Sequence, residues 1–444
     1  MGKKIIVAGA GHGGIAAAAL LSRVGLDVTV YERCAEGTLG YDWTDIFAPT
    51  AWKAAGMDMP PPDKYEYKTN MTFYSPNLQI PLTQSIPADE IEMKMERKDI
   101  YNQLIEHAVK CGVKFVYDCN ILGPILAGSR VVGIRTEKGN FYADLVIDAA
   151  GVNSPVRTNL PAVCSIEKEP RPCEKLYVYR AFYNSSADRE PDAKYKIYLL
   201  PDGKKGIAWV AAEEEITDLL IGKFEPFNLE EAERTADFLR ITSPWLGNKR
   251  LRGGQFTEIP VRQPLSVMVC DGYAAIGDSA FMTMPIIGSG IANSFRAARM
   301  LADTVLADKA GAYNADTLWP YQVKYYKQIG AGLSQIACIK SLLLNITPAE
   351  LDYCFEKGIL TAQDFAIGSG NTSLAGMVKI KPWDAKSRAQ ALIDNIELLK
   401  KVADLSIKIG KAVLLMKSMP KTRNAAEIAA WSRKYCRFFA GLIN

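Results

Sequence analysis

Lys4-Ile5-Ile6-Val7-Ala8 is a short apolar run that stops at Gly9, followed by an Ala-rich stretch over 15–24 and then by the alternating Asp27-Val28-Thr29-Val30-Tyr31-Glu32. The pattern predicts a strand, a helix and a second strand within about 30 residues. Parallel strands need a crossover helix, and small Ala and Gly side chains let that helix lie close on the sheet.

Between 35 and 95 the period is lost among Pro49, Pro60-Pro61-Pro62 and many aromatics, which predicts loops with short strands, laid over whatever the first unit binds. Helical spacing resumes over 99–109, and Lys114-Phe115-Val116-Tyr117 reads as a buried strand. Residues 131–136 and 141–147 read as strands about a Gly139-Asn140 turn. They end in Asp148-Ala149-Ala150-Gly151, where the chain returns to the first sheet. Strand-like runs over 176–183, 195–200 and 206–211, with a polar helix at 229–239, predict a second sheet inserted into the first unit. Residues 273–276 form another short buried strand, a long helix follows from about Gly290, and the pattern after about 312 is helical. Breaks fall at Pro348, 368–370, Pro382 and Pro420.

The 444 residues suggest two or three domains, and 48% hydrophobic with 23% charged residues is a globular balance. No secretory signal is evident and no apolar run is long enough for a bilayer, so a cytoplasmic protein is expected. Nine cysteines without a Cys-x-x-Cys pair, and only two histidines, His12 and His107, argue against a metal site, a disulfide framework and a Ser-His-Asp hydrolase. Charge is uneven: residues 379–444 carry 14 Lys/Arg against 5 Asp/Glu, the rest 39 against 44. Apolar spacing at Leu405, Ile409, Val413 and Met416, and at Ile428, Trp431, Tyr435 and Phe439, lies between those cations. It suits a cap over a cavity or peripheral contact with a membrane surface. Nucleic acid is not an expected partner.

Gly9-Ala10-Gly11-His12-Gly13-Gly14 fits G-x-G-x-x-G between a strand and a helix. Gly9 permits the turn, Gly11 lets backbone approach a pyrophosphate, Gly14 lets the helix pack closely, and the helix N-terminus offers free N–H groups to phosphate. Glu32 follows Gly14 by 18 residues, at the end of the second strand, where a carboxylate accepts from a ribose diol. A dinucleotide is expected on Gly9, Gly11, His12, Gly13, Gly14, Glu32 and Arg33.

Two further segments accompany this loop: Asp148-Ala149-Ala150-Gly151-Val152-Asn153-Ser154-Pro155-Val156-Arg157, and Gly277-Asp278-Ser279-Ala280 with Pro285 and Gly288-Ser289-Gly290. Together the three resemble the flavoprotein superfamily of p-hydroxybenzoate hydroxylase, flavin halogenases and geranylgeranyl reductases, over about residues 1–310. The resemblance implies an α/β fold: a Rossmann-type FAD-binding domain (1–164 with 255–311), an inserted antiparallel sheet domain for substrate (165–254) and a helical C-terminal region (312–444). It places FAD against Gly151, Asp278, Gly288, Gly290 and Ile291 as well as the first loop, and against Arg97 at the start of the helix after the loops. Hydroxylases usually carry Asp where this chain has Ala150, and His where it has Phe281.

Those departures point to a reductase of carbon–carbon double bonds in a hydrophobic substrate, with a monooxygenase or a non-catalytic electron-transfer flavoprotein as alternatives. No second G-x-G-x-x-G exists, so NAD(P)H must act transiently or a ferredoxin-like protein must deliver electrons. Tyr41, Asp45 and Tyr198 are the candidate proton donors, since histidine is scarce. Tyr198 falls in Lys196-Ile197-Tyr198-Leu199-Leu200-Pro201, which is similar to a degraded Tyr-x-Trp-x-Phe-Pro motif of geranylgeranyl reductases. Tyr195 and Tyr198 are expected on one strand face, either a substrate wall or a core face. Trp43, Phe281, Met282, Met284 and Pro285 are the expected substrate contacts, because adaptable Met side chains suit a bulky apolar ligand.

Overall fold

The computed structural model of the chain describes residues 2–442 apart from 69, 85, 87–90, 187–192, 214 and 366–381, so the expected break at 368–370 lies outside the described residues. Strand Lys4–Ala8 sits inside a six-stranded sheet, with Asp27–Tyr31 and Leu145–Asp148 parallel to it on either side. Lys114–Val116 lies beyond the first of these and Tyr273–Ala275 beyond the second, all parallel. Val269–Cys270 closes that edge antiparallel. Ile5 to Ala8 are all buried, as expected of a parallel strand covered on both faces.

The crossover helix is His12–Ser22, beginning three residues earlier than its apolar spacing suggests. Gly14 in its first turn is needed against the sheet, since a Cβ there would lie 2.5 Å from that of Ala149. Lys114–Val116 is an edge strand, exposed to half-buried instead of buried, because no described strand pairs beyond it. The strand expected over 141–147 is divided. Gly139–Tyr142 joins Arg130–Thr136 and Ile121–Ala127 in a three-stranded antiparallel sheet, while Leu145–Asp148 enters the main sheet. Asp144 makes the transfer, accepting from the Lys4 N–H at 2.9 Å and from Lys3 Nζ at 3.2 Å.

A seven-stranded sheet runs in the order Leu246–Pro260, Lys175–Ser185, Ile216–Lys223, Gly206–Ala212, Tyr195–Leu199, Met71–Tyr74, Pro81–Gln84. All its pairings are antiparallel except that of Tyr195–Leu199 with Met71–Tyr74. Two of the short strands expected among the loops of 35–95 thus join this sheet, since Met71 to Tyr74 are all buried and need a partner for their backbone. Thr44–Phe47, Met93–Glu96 and Tyr65–Tyr67 form a further small antiparallel sheet.

Beyond 312 the described elements are helical: Ala315–Tyr325, Ala331–Asn345, Pro348–Glu356, Pro382–Ile393, Ile396–Lys417 and Ala425–Ala440. Asn314, Thr347, Asn395 and Asn424 each cap the following helix through their side-chain oxygens, which explains why polar residues punctuate this apolar pattern. The last helix is anchored by Tyr435, whose OH donates to the Pro264 carbonyl at 2.8 Å.

Candidate active site

The glycine loop sits where strand Lys4–Ala8 meets its helix. Gly9 has φ +88°, and a Cβ there would come within 2.6 Å of Ala150 Cα; one on Gly11 would come within 2.8 Å of the Ala149 carbonyl. Glu32 spans the loop's side, accepting from the Ala10 N–H at 2.8 Å and the Cys34 N–H at 2.9 Å. No side chain caps the helix at Gly11, so its first N–H groups remain for an anion.

Asp148 ties the second and third segments together. Its buried carboxylate accepts from Ser154 Oγ at 2.6 Å, Tyr273 OH at 2.9 Å and Ser279 Oγ at 3.0 Å. Arg157 is fully buried and donates to the Ser279 carbonyl at 2.8 Å and the Lys168 carbonyl at 2.9 Å, clamping the same loops from behind. Asp278 accepts from Thr283 Oγ1 at 2.8 Å. Burial pushes its carboxyl up, against that hydrogen bond and the charges of Arg97 and Arg157. Gly288, at φ +73°, and Gly290 lead into helix Ile291–Ala307, whose N-terminus also lacks a side-chain cap.

These loops border a cavity of about 1080 Å3. Gly9, Gly11, His12, Gly13, Gly14, Glu32, Arg33, Arg97, Gly151, Asp278, Gly288, Gly290 and Ile291 all line it, with Tyr41, Trp43 and Asp45. The glycine positions where a side chain would collide, and the uncapped helix ends, fit the pyrophosphate and ring edge of FAD. From there the same cavity passes Phe73, Ile197, Leu199 and Trp209 to the C-terminal helices at Leu342, Ile346, Leu398 and Leu405.

Two proposed roles fail on geometry. Tyr198 does not line the cavity: it is buried, stacked on Tyr74 with ring centroids 5.2 Å apart, and its hydroxyl bonds Ser243 Oγ at 2.7 Å. Nor does it share a face with Tyr195, because residues three apart on a strand point oppositely. Tyr195 packs with Met71 and Ile197 instead, and gives its hydroxyl to Glu66 at 2.8 Å. Phe281, Met282, Met284 and Pro285 are also buried outside the cavity lining. Phe281 turns inward at φ +55°, where Arg157 and Arg262 each lie 4.6 Å from its ring centre, and Met282 Sδ accepts from the Gly277 N–H at 3.3 Å. This apolar run supports the loop from behind, while Ile286 and Ile287 line the cavity.

Asp45 lines the cavity but is paired with Arg97, Oδ2 to Nε at 2.6 Å and Oδ1 to Nη2 at 2.5 Å. Burial raises its carboxyl, yet the charge and hydrogen bonds of Arg97, with His12 and Arg180, outweigh this and hold it below the ordinary carboxylate range. An ionised Asp45 cannot donate a proton, so that expectation is withdrawn. Tyr41 is 39% exposed and accepts from Thr257 Oγ1 at 2.9 Å, which leaves the phenol's own proton to give.

His12 is stacked on Tyr101 at 4.3 Å, and its Nε2 has no partner among the described residues. Burial first, then the Arg97 charge, push its pKa down to about 4 against the opposing pull of Asp45, so the ring is neutral near pH 7.

Arg180 and Tyr101 are among the lining residues that the sequence does not single out. Arg180 lies 5.0 Å from the Trp209 ring centre and 5.8 Å from that of Trp43, and is fixed by the fully buried Asp218 at 2.9 Å. Its signal was a lone charge within the apolar run Tyr177-Val178-Tyr179-Arg180-Ala181-Phe182. Tyr101 follows Arg97 by one helical turn and so shares its face.

A sequence model described as an NAD(P)-binding Rossmann-like domain matches residues 7–48. The chain is 23% identical to a digeranylgeranylglycerophospholipid reductase of Sulfolobus acidocaldarius, across 97% of this chain and 96% of that one. Its fold is similar to a geranylgeranyl bacteriochlorophyll reductase-like structure from Thermoplasma acidophilum, with TM-score 0.71, 19% identity, and 91% and 99% of the two chains covered. A probable FAD-dependent monooxygenase from Pseudomonas aeruginosa is more distant, with TM-score 0.60, 19% identity, and 80% and 100% covered. The chain is an oxidoreductase, similar along nearly its whole length to a digeranylgeranylglycerophospholipid reductase and similar in fold to a geranylgeranyl bacteriochlorophyll reductase-like protein and, less closely, to a probable FAD-dependent monooxygenase.

Proposed function

We propose that this chain binds FAD in the cavity and reduces carbon–carbon double bonds in a hydrophobic, prenyl-type lipid. The carrying observation is that one cavity joins the dinucleotide cradle to an apolar branch long enough to reach the C-terminal helices. Relatives named digeranylgeranylglycerophospholipid reductase, matched along nearly the whole chain in the first case, support that choice of substrate.

Bound and reduced, FAD supplies the hydride that such a reduction needs at one alkene carbon. The protein's part is to bind, exclude water and supply a proton to the other carbon. Gly9, Gly11 and the N-terminus of helix His12–Ser22 would hold the pyrophosphate, Glu32 the ribose, and Asp278 with the backbone at Gly288 to Ile291 the flavin side. Ile197, Leu199, Ile207 and Trp209 keep the apolar branch dry. Tyr41, beside Trp43 and Arg97, is the proton donor in this reading, with water as its source of replacement. NAD(P)H bound transiently, or a ferredoxin-like carrier, replenishes the electrons.

The test is anaerobic: chemically reduced holoprotein is mixed with a detergent-dispersed geranylgeranyl lipid. Reoxidation of the flavin absorbance, together with a product two mass units heavier per double bond, supports the reading. A product that gains an oxygen atom, formed only in air, would overturn it in favour of the monooxygenase.

A further inference from the structure

Helix Ile396–Lys417 has two apolar faces, and among the described residues only one is covered. Its inner face carries Leu398, Val402, Leu405 and Ile409, all of which line the cavity. On the opposite side Ile396, Ile407 and Leu414 are 63%, 57% and 67% exposed, with Ala403 also exposed between them. At about 100° per residue these four fall on a single line along the helix, roughly opposite the cavity-lining stripe. Ile393, at the end of the preceding helix, is also 56% exposed.

Cations flank that line. Lys400 and Lys411 lie on one side of it and Lys417 on the other, all exposed, and Lys421 follows just beyond the helix. The acidic groups of this helix, Glu397 and Asp404, stand further round toward the side, where they pair with Lys400 and Lys408 at 2.7 and 2.8 Å. A buried core helix does not expose branched apolar residues in register, and an ordinary solvated face does not alternate them with lysines. An exposed apolar line bordered by lysines matches the acyl boundary and the anionic headgroups of a bilayer surface.

We propose that the outer face of helix Ile396–Lys417 docks on an anionic lipid surface. The docking stands whatever the reaction is. That it hands a lipid substrate to the cavity wall formed by the same helix rests on the reductase reading above.

Full-length, flavin-loaded protein is sedimented with phosphatidylcholine vesicles, with and without phosphatidylglycerol, and no turnover is needed. The protein should pellet with the anionic vesicles and less so as salt rises. Ile407→Ser with Leu414→Ser should lower the bound fraction by about tenfold or more, with melting temperature and flavin content unchanged because both sites are exposed. Lys400→Gln with Lys411→Gln and Lys417→Gln should remove the preference for phosphatidylglycerol. The proposal is overturned if the wild type stays in the supernatant, if the double serine variant pellets as well as the wild type, or if the face closes a dimer in lipid-free solution that this variant splits. A chain that pellets yet reduces no detergent-dispersed lipid supports docking and counts against the reductase reading alone.

Discussion

Arg97 and Asp45 meet through two parallel hydrogen bonds, at 2.6 and 2.5 Å, and so join the first residue of helix Arg97–Lys110 to strand Thr44–Phe47 at the cavity wall. The Arg97 N–H also donates to the Trp43 carbonyl at 2.9 Å, and its guanidinium lies 5.0 Å from the Trp43 ring centre. One arginine thus fixes the strand, the indole and the carboxylate against the same wall.

Arg97→Ala should leave Asp45 charged, largely buried and unpaired. The expected loss is about 3 kcal/mol, the low end for a buried pair because both side chains keep some exposure. Urea unfolding of the purified protein measures it. Asp45→Asn should lose less, and its stability should change less in acid: the folded pKa of Asp45 lies below the unfolded value of about 3.9, so its contribution is present above that value and lost as pH falls through the folded one. Equal acid sensitivity in wild type and Asp45→Asn would contradict this account.

Tyr41 and Tyr198 separate a chemical role from a structural one. Tyr41→Phe should lower kcat by about 100-fold, the usual scale for losing a positioned acid, with flavin content and melting temperature preserved since the ring is part-exposed. Tyr198→Phe should retain kcat but lose about 1 kcal/mol, because its hydroxyl bonds Ser243 and Thr242 in the sheet's interior. Single-turnover reoxidation rates and thermal melts read the two effects independently, and the reverse pattern would reassign the donor.

Motifs that bind by backbone were the legible part of this chain. Gly9 to Gly14 and Gly277 to Gly290 announce themselves because only glycine fits those turns, so composition and spacing carry the geometry. Side chains that act through distant partners were not legible. Asp148 joins Ser154, Tyr273 and Ser279, residues as far as 131 positions away, and no local pattern encodes such a hub. Phe281 to Met284 look like a pocket lining by composition, yet the left-handed turn at Phe281 aims them into the core. Asp45 looked like an acid until its partner was known; a carboxylate's role depends on the charge beside it, and that charge lies 52 residues on.

Gly14→Ala tests the cradle itself. Its new Cβ would sit 2.5 Å from Ala149 Cβ and 2.9 Å from Val7 Cγ1, neither of which is the end of a flexible chain. Helix and sheet must separate locally, at a cost of about 1–3 kcal/mol, and the loop that meets the pyrophosphate shifts with them. The purified variant should be folded but largely colourless, regaining less than the wild type's flavin absorbance on incubation with FAD. A fully yellow Gly14→Ala protein would mean that the dinucleotide lies elsewhere.

His12 supplies a pH dependence whose direction is fixed by burial. Its folded pKa, near 4, lies below the unfolded value of about 6.5, so the unfolded chain takes up the proton first as pH falls. Stability from this group is therefore complete above about pH 6.5 and is lost progressively down to about pH 4. Between pH 8 and pH 5 the loss should be about 2 kcal/mol. His107, whose pKa burial and the Arg23 and Lys110 charges also lower, contributes to the same slope. Urea unfolding across that range should show His12→Asn with a clearly shallower slope than wild type, and His107→Asn with a smaller reduction. Because the neutral His12 ring lines the cavity in the glycine loop, FAD affinity should stay flat over the same range. An affinity that rose tenfold toward pH 5 would require a protonated imidazolium against the pyrophosphate, and the buried neutral ring would have to be abandoned.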